Sequence, residues 1–122
     1  MTISNFLENE LLDTLDGAGS AYSASATYLK LHVGDPGETG ANNPATETTR
    51  KSVSFNAASG GSKTSTATVE WTLVAATETY THWSLWDNST AGNCLWYGAL
   101  SANAAVTAGD TFEITSLTLT LD

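Results

Sequence analysis

The fold is decided by Tyr80-Thr81-His82-Trp83-Ser84-Leu85-Trp86, followed across Asp87-Asn88-Ser89-Thr90-Ala91-Gly92-Asn93 by Cys94-Leu95-Trp96-Tyr97-Gly98-Ala99-Leu100. Side chains of a strand point alternately to its two faces. In the first run Tyr80, His82 and Trp86 share one face and Thr81, Trp83 and Leu85 the other. In the second, Cys94, Trp96 and Leu100 oppose Leu95, Tyr97 and Ala99. The residues between are turn formers, so the spacing predicts a hairpin with a loop of several residues. An antiparallel strand with one wet side shows polar residues on that side. Here both sides carry aromatics, which places the hairpin in mid-sheet, its second face covered by an N-terminal helix or by another subunit.

Working outward, Val69, Trp71 and Leu73 alternate with Thr68, Glu70 and Thr72 as a half-buried strand. Val53 and Phe55 mark another, and 57–62 is a Gly/Ser turn. Earlier still, Thr27, Leu29, Leu31 and Val33 oppose Tyr28, Lys30 and His32. The span 34–49 is a long polar loop containing Asp35-Pro36-Gly37 and Asn42-Asn43-Pro44, a length at which loops are functional or mobile. Residues 2–16 read as a helix, with Phe6 or Leu7, then Leu11, Leu12 and Leu15 at helical spacing, and Gly17 and Gly19 ending it. Asp13 and Asp16 oppose its dipole, so it needs a surface to lie on. Past the hairpin, Val106, Phe112 with Ile114, and Leu117, Leu119 and Leu121 give the last strands. About seven short strands predict a mainly β protein: a single-domain antiparallel β-sandwich over 27–122 with an N-terminal α-helix.

Composition narrows the function. A chain of 122 residues is enough for one domain and one core. Thirteen acids against four bases give a net charge of −9, which excludes attraction to nucleic acid or to an anionic membrane as the main activity. The 20 Thr and 13 Ser suit pleated, half-wet surfaces and turns. Cys94 is the single cysteine, so no intrachain disulfide forms. No apolar run is long enough to span a membrane, and the N-terminus carries no basic, signal-like region, so synthesis in a cytoplasm is the expectation.

No residue pattern carries a mechanism. His32, His82 and Cys94 match no zinc spacing, and the serines sit in no nucleophile elbow. His32 is expected on a wet strand face, His82 as a hydrogen-bonded member of the aromatic layer, and Cys94 as a small core residue. Asp35 and Glu38, with the backbone carbonyls of their loop, offer oxygen ligands to a cation, although a Pro36-Gly37 type II turn explains the same residues. The Trp and Tyr rings could stack on sugars, but their place in strands favours core or subunit interface. No cofactor is expected.

Several runs resemble small bacteriophage virion structural proteins. They are Leu29-x-Leu31-His32-x-Gly34-Asp35-Pro36-Gly37-Glu38-Thr39-Gly40-Ala41-Asn42, then Arg50, Val53, Phe55 and Ala57-Ala58-Ser59-Gly60. Thr81-His82-Trp83-x-Leu85-Trp86-Asp87, Leu95 to Leu100, Ala108 to Phe112, Leu117 to Leu121 and the opening Asn5-Phe6-Leu7-Glu8-Asn9 continue the likeness. Such proteins are described as tail-fibre-like or as minor virion components, and the resemblance implies no catalytic residue.

The expectation is therefore a non-enzymatic virion protein made in the bacterial cytoplasm, foremost a capsid decoration protein in many copies. The alternative is a tail fibre or receptor-binding, glycan-binding module. A small metal-dependent hydrolase is the third class. Partners are further copies in a homo-oligomer and other virion proteins, major capsid or tail. Phe6, Leu7, Leu11, Trp71, Trp83, Trp86, Trp96, Tyr97 and Phe112 are assigned to core or interface. Asp35, Glu38, Asn42 and Asn43 form a candidate exposed interaction loop that could take a glycan or a cation weakly.

Overall fold

The computed structural model describes residues 1–122 except 18, 20 and 122. Its elements are β1 (Thr2–Ile3), α1 (Asn5–Thr14), β2 (Thr27–His32), β3 (Lys51–Val53), β4 (Ser62–Thr64), β5 (Val69–Trp71), β6 (Glu78–Trp86), β7 (Cys94–Val106), β8 (Phe112–Ile114) and β9 (Thr118–Thr120). One five-stranded sheet runs in the order β1-β7-β6-β2-β3, and two antiparallel ribbons, β4-β9 and β5-β8, accompany it. The fold is mainly β and sandwich-like, with one helix.

The hairpin lies at the centre as expected, with β6 between β7 and β2. Pairs Leu29↔Leu85, Leu31↔Trp83, Leu85↔Trp96 and Thr27↔Val53 put these side chains on one face of the sheet. That face forms the core with Val69 and Trp71 of β5, Ile114 of β8 and Leu119 of β9. Tyr80 joins it, its ring 5.1 Å from that of Phe112 and edge-on. This placement follows a register shift in β6·β7 between Tyr80 and His82, where β7 arches outward through exposed Ser101, Ala102 and Asn103. Trp71 has no exposed surface, and its indole N–H donates to the Thr49 carbonyl at 2.8 Å.

Four local readings are corrected. The helix is Asn5–Thr14, shorter than 2–16. Thr2 and Ile3 instead pair with Tyr97 and Trp96, and Ser4, fully buried, caps the helix by accepting from the Leu7 N–H at 3.3 Å. Leu73 does not continue β5. It stands out with 78% of its surface exposed at φ +52°, and Val74 takes the buried place, so the period-two count slips by one residue. The run 57–62 is more than a turn: Ser59 and Ser62 exchange backbone hydrogen bonds around Gly60 and Gly61, both at positive φ, so this two-residue turn launches β4, a strand that alternation alone does not reveal. The described residues also form nine strands where about seven were expected, the two additions being the short β1 and β4, and β7 runs on through 101–106.

Trp71→Ala should cost about 3–5 kcal/mol of unfolding free energy in urea melts. Trp71→Phe, which keeps a ring but strands the Thr49 carbonyl, should cost about 1–3 kcal/mol.

Candidate functional site: the covered face of the sheet

On the other face of the sheet lie Tyr28, Lys30 and His32 of β2, His82, Ser84 and Trp86 of β6, and Tyr97 of β7. Ser84 and His32 are fully buried, and Trp86 and Cys94 nearly so. Where the sequence suggested the helix or another subunit as the cover, the chain's own 34–44 loop folds back over the strand it leaves and buries this face. Asn43 O accepts from the Val33 N–H at 3.0 Å, and the Ala45 N–H donates to Leu31 O at 3.1 Å. Val33 consequently leaves the strand pattern and is exposed.

A directional chain of hydrogen bonds fastens the loop. His32 Nδ1 lies 2.9 Å from the Asn42 carbonyl oxygen, which can only accept, so Nδ1 carries the proton. His32 Nε2 therefore accepts from Ser84 Oγ at 2.7 Å, and Ser84 Oγ accepts from the Trp86 indole N–H, also at 2.7 Å. This places His32 in a dry interior, contrary to the wet face expected of it. Burial, only partly offset by the bond to Asn42, lowers its pKa to about 4. His82, opposite His32 across the strand pair, is half-buried, with Nδ1 2.7 Å from Thr81 Oγ1.

Packing of the loop is equally close. Gly40 sits on Cys94 and Trp86 at φ +68°, and a Cβ there would lie 2.7 Å from Cys94 Sγ and 2.8 Å from the Trp86 ring. Burial pushes the Cys94 thiol up to about 11, so it stays protonated, and it donates to Trp96 O. The Arg50 guanidinium lies 4.0 Å from the Trp86 ring centroid and donates to the carbonyls of Asn88 and Ala91. Two loops thus meet over one indole. Between them a shallow cleft of about 250 Å³ is lined by Asn5, Phe6, Glu38, Thr39, Trp86, Gly92, Asn93 and Cys94.

The proposed loop residues Asp35, Glu38, Asn42 and Asn43 are all exposed, yet the loop is lashed at each. Asp35 Oδ1 accepts from the Gly37 N–H, Asn43 Nδ2 donates to Asp35 O, and Glu38 accepts from the Asn5 N–H and the Tyr97 hydroxyl. Of the residues assigned to core or interface, Trp71, Trp83, Trp86 and Trp96 are buried. Phe6, Leu7, Tyr97 and Phe112 are half-buried, and Leu11 is exposed. Sequence reasoning missed Ser84, Asp87 and Arg50 as organisers. Asp87 Oδ1 accepts from the Asn93 N–H and Oδ2 from the Tyr22 hydroxyl. Burial would raise Asp87, but these bonds and the Asn93 amide outweigh it and hold the carboxyl below its ordinary value.

Ser84 and His32 have the spacing of a nucleophile and its base. Ser84 has no surface, however, and its oxygen is committed to Trp86. Neither residue lines the cleft beside Trp86. Among the described residues no group of three or more His, Cys, Asp or Glu could hold a metal ion, and no helix is long and apolar enough to cross a membrane.

The family model described as Podophage GP4 fiber I protein gp80 matches residues 2–122, and the chain belongs to that family. No curated protein matches the chain. A phage virion structural protein is therefore its broad identity.

Ser84→Ala leaves both the Trp86 N–H and His32 Nε2 without partners and should cost about 2–4 kcal/mol in urea unfolding. Gly40→Ala should cost a similar ~2–4 kcal/mol from the left-handed backbone and the clash together. Because folded His32 has its pKa depressed from 6.5 to about 4, its contribution is complete above pH 6.5 and is lost as the pH falls through that window. Unfolding free energy should drop by about 2–3 kcal/mol between pH 7 and pH 4. His32→Asn should flatten that slope.

Proposed function

We propose that this chain is a non-catalytic building block of a phage fibre. The observation that carries this reading is the family match over residues 2–122, together with the use of the reactive side chains as fasteners. His32 and Ser84 hold a loop to a sheet, and Cys94 is a buried, protonated thiol beneath Gly40. A protein that must stay folded outside the cell gains from such internal lashing. Capsid decoration draws no support from a family described by its fibre.

On the fibre reading, the receptor-facing surface is the cleft where the 34–44 loop meets the 87–93 turn. Its rim is polar, with Glu38, Thr39 and Asn93, and the edge of Trp86 lies beneath it. The polar rim offers hydrogen-bond partners to a carbohydrate and the Trp86 edge a small apolar contact beside them. Oligomerisation with further copies of the chain belongs to the same proposal.

Quantitative mass spectrometry of purified particles should find a few to a few dozen copies per virion. Hundreds would return the protein to the shell. Screening the purified chain on a glycan array should give weak, saturable hits that Thr39→Tyr abolishes by filling the cleft. Hits that survive this substitution would place receptor binding elsewhere.

A further inference from the structure

Three of the four basic residues, Lys30, Arg50 and Lys51, stand together, because β2 and β3 pair Leu29 with Lys51 and so set Lys30 beside Arg50. Two of them share one ring. Lys30 Nζ lies 5.9 Å from the Trp86 ring centroid and the Arg50 guanidinium 4.0 Å from it. Both side chains are half-buried, and burial lowers the pKa of each. For Lys30 the next cause is the Arg50 charge itself, so the two cations oppose one another.

A chain with thirteen acids has ample means to pair these cations, yet it does not place one between them. Among the described residues the only carboxylate acting on either is Asp87, on Arg50, and its oxygens are taken by Asn93 and the Tyr22 hydroxyl. Arg50 donates to the carbonyls of Asn88 and Ala91 through one nitrogen, Nη1. The other arm of its fork, Nη2 with Nε, and the Lys30 ammonium have no acceptor among the described residues. Tyr28 and Ser52, in register with Trp86 and with each other, add two hydroxyls to the same face.

We propose that Lys30 and Arg50 form an anion site beside Trp86 that takes the carboxylate or phosphate group of an acidic saccharide. The inference rests on the receptor-binding reading and names the class of sugar that this reading leaves open. A guanidinium arm matches the two oxygens of such a group, and the anion relieves the repulsion between the cations. The position suits the same ligand, since Trp86 and the turn that Arg50 holds also border the cleft at Gly92 and Asn93. A net charge of −9 repels anions at a distance, so only close contact with both cations holds one, and binding is weak.

The test titrates the purified chain with sodium glucuronate, glucose 6-phosphate and glucose at fixed ionic strength, followed by NMR at the Trp86 indole N–H and the Arg50 Nε–H. At least one anionic sugar should give a saturable shift that glucose does not, and which one does so distinguishes carboxylate from phosphate. Lys30→Gln and Arg50→Gln should each weaken that binding about tenfold, while Lys63→Gln leaves it unchanged. Arg50→Gln also loosens the 88–91 turn, so Lys30→Gln, with an unchanged melting temperature, is the deciding variant. No saturable shift, equal binding of glucose, or an effect of Lys63→Gln as large as that of Lys30→Gln would each overturn the anion site. Glycan-array hits that Thr39→Tyr abolishes and Lys30→Gln leaves intact would overturn it too while sparing the receptor reading. An array without hits would remove that reading, whereas the titration reports on the anion site by itself.

Discussion

Trp86 donates to Ser84, Ser84 to His32, and His32 to the carbonyl of Asn42: three bonds, each with a fixed direction, join a central strand, its neighbour and the loop that covers both. The direction is forced from one end. A carbonyl cannot donate, so the tautomer of His32 is set, and with it the orientation of the Ser84 hydroxyl. Because a buried polar group without a partner costs about 1–3 kcal/mol, removing any member exposes the others to that penalty. The 34–44 loop therefore behaves as a third layer of the fold despite having almost no regular structure. Gly40 allows its backbone to reach the Trp86 ring, and Arg50 closes the ring's surroundings while holding the 88–91 turn through two carbonyls.

The acidic side chains extend the same logic to the rest of the chain. Asp35, Glu38, Glu47, Glu78, Asp87 and Asp110 each accept from a backbone N–H, at Gly37, Asn5, Ala75, Thr46 and Glu47, Asn93 and Thr107 respectively. With only four basic residues, a net charge of −9 could not be balanced by ion pairs. Carboxylates instead satisfy amide donors in loops that no strand ladder reaches, a use in which the charge strengthens the hydrogen bond. High acidity in this chain is thus partly structural and not only a means of solvation.

Much of this arrangement is visible in the residues themselves. Two-faced apolarity in 80–86 and 94–100 requires a central hairpin with a cover on each side, and that is what the sheet order provides. What covers the second face is not legible, because a loop that packs through Gly40, Pro36 and backbone carbonyls shows no hydrophobic period. His32 was misplaced for a related reason: alternation assigns it to the outer face correctly, but only the returning loop makes that face dry. Leu73 and the β4 strand fail differently. One residue at positive φ reverses the in-out count, and a three-residue polar strand such as Ser62–Thr64 has no alternation to detect. Ser84 could not be singled out at all, since one serine among thirteen carries no mark of burial.

The two sides of the sheet therefore reach different degrees of closure. Over the Trp86 side, every indole, hydroxyl and imidazole in the relay has a partner drawn from the chain itself, and the loop that supplies them leaves only a shallow cleft at its edge. Near the helix the chain supplies an N-cap and a two-residue strand to fix α1 in place, yet leaves three of its leucines facing outward and the Trp96 donor unmet. A helix anchored this firmly at its first turn and buried so little along its length gains little stability for its own fold from those leucines, because exposed apolar surface contributes nothing until it is covered. Firm anchoring of an uncovered apolar stripe lowers the entropy lost when something does cover it. The asymmetry is thus between a face sealed by the chain's own loop and hydrogen bonds and an apolar stripe that the chain leaves open to water.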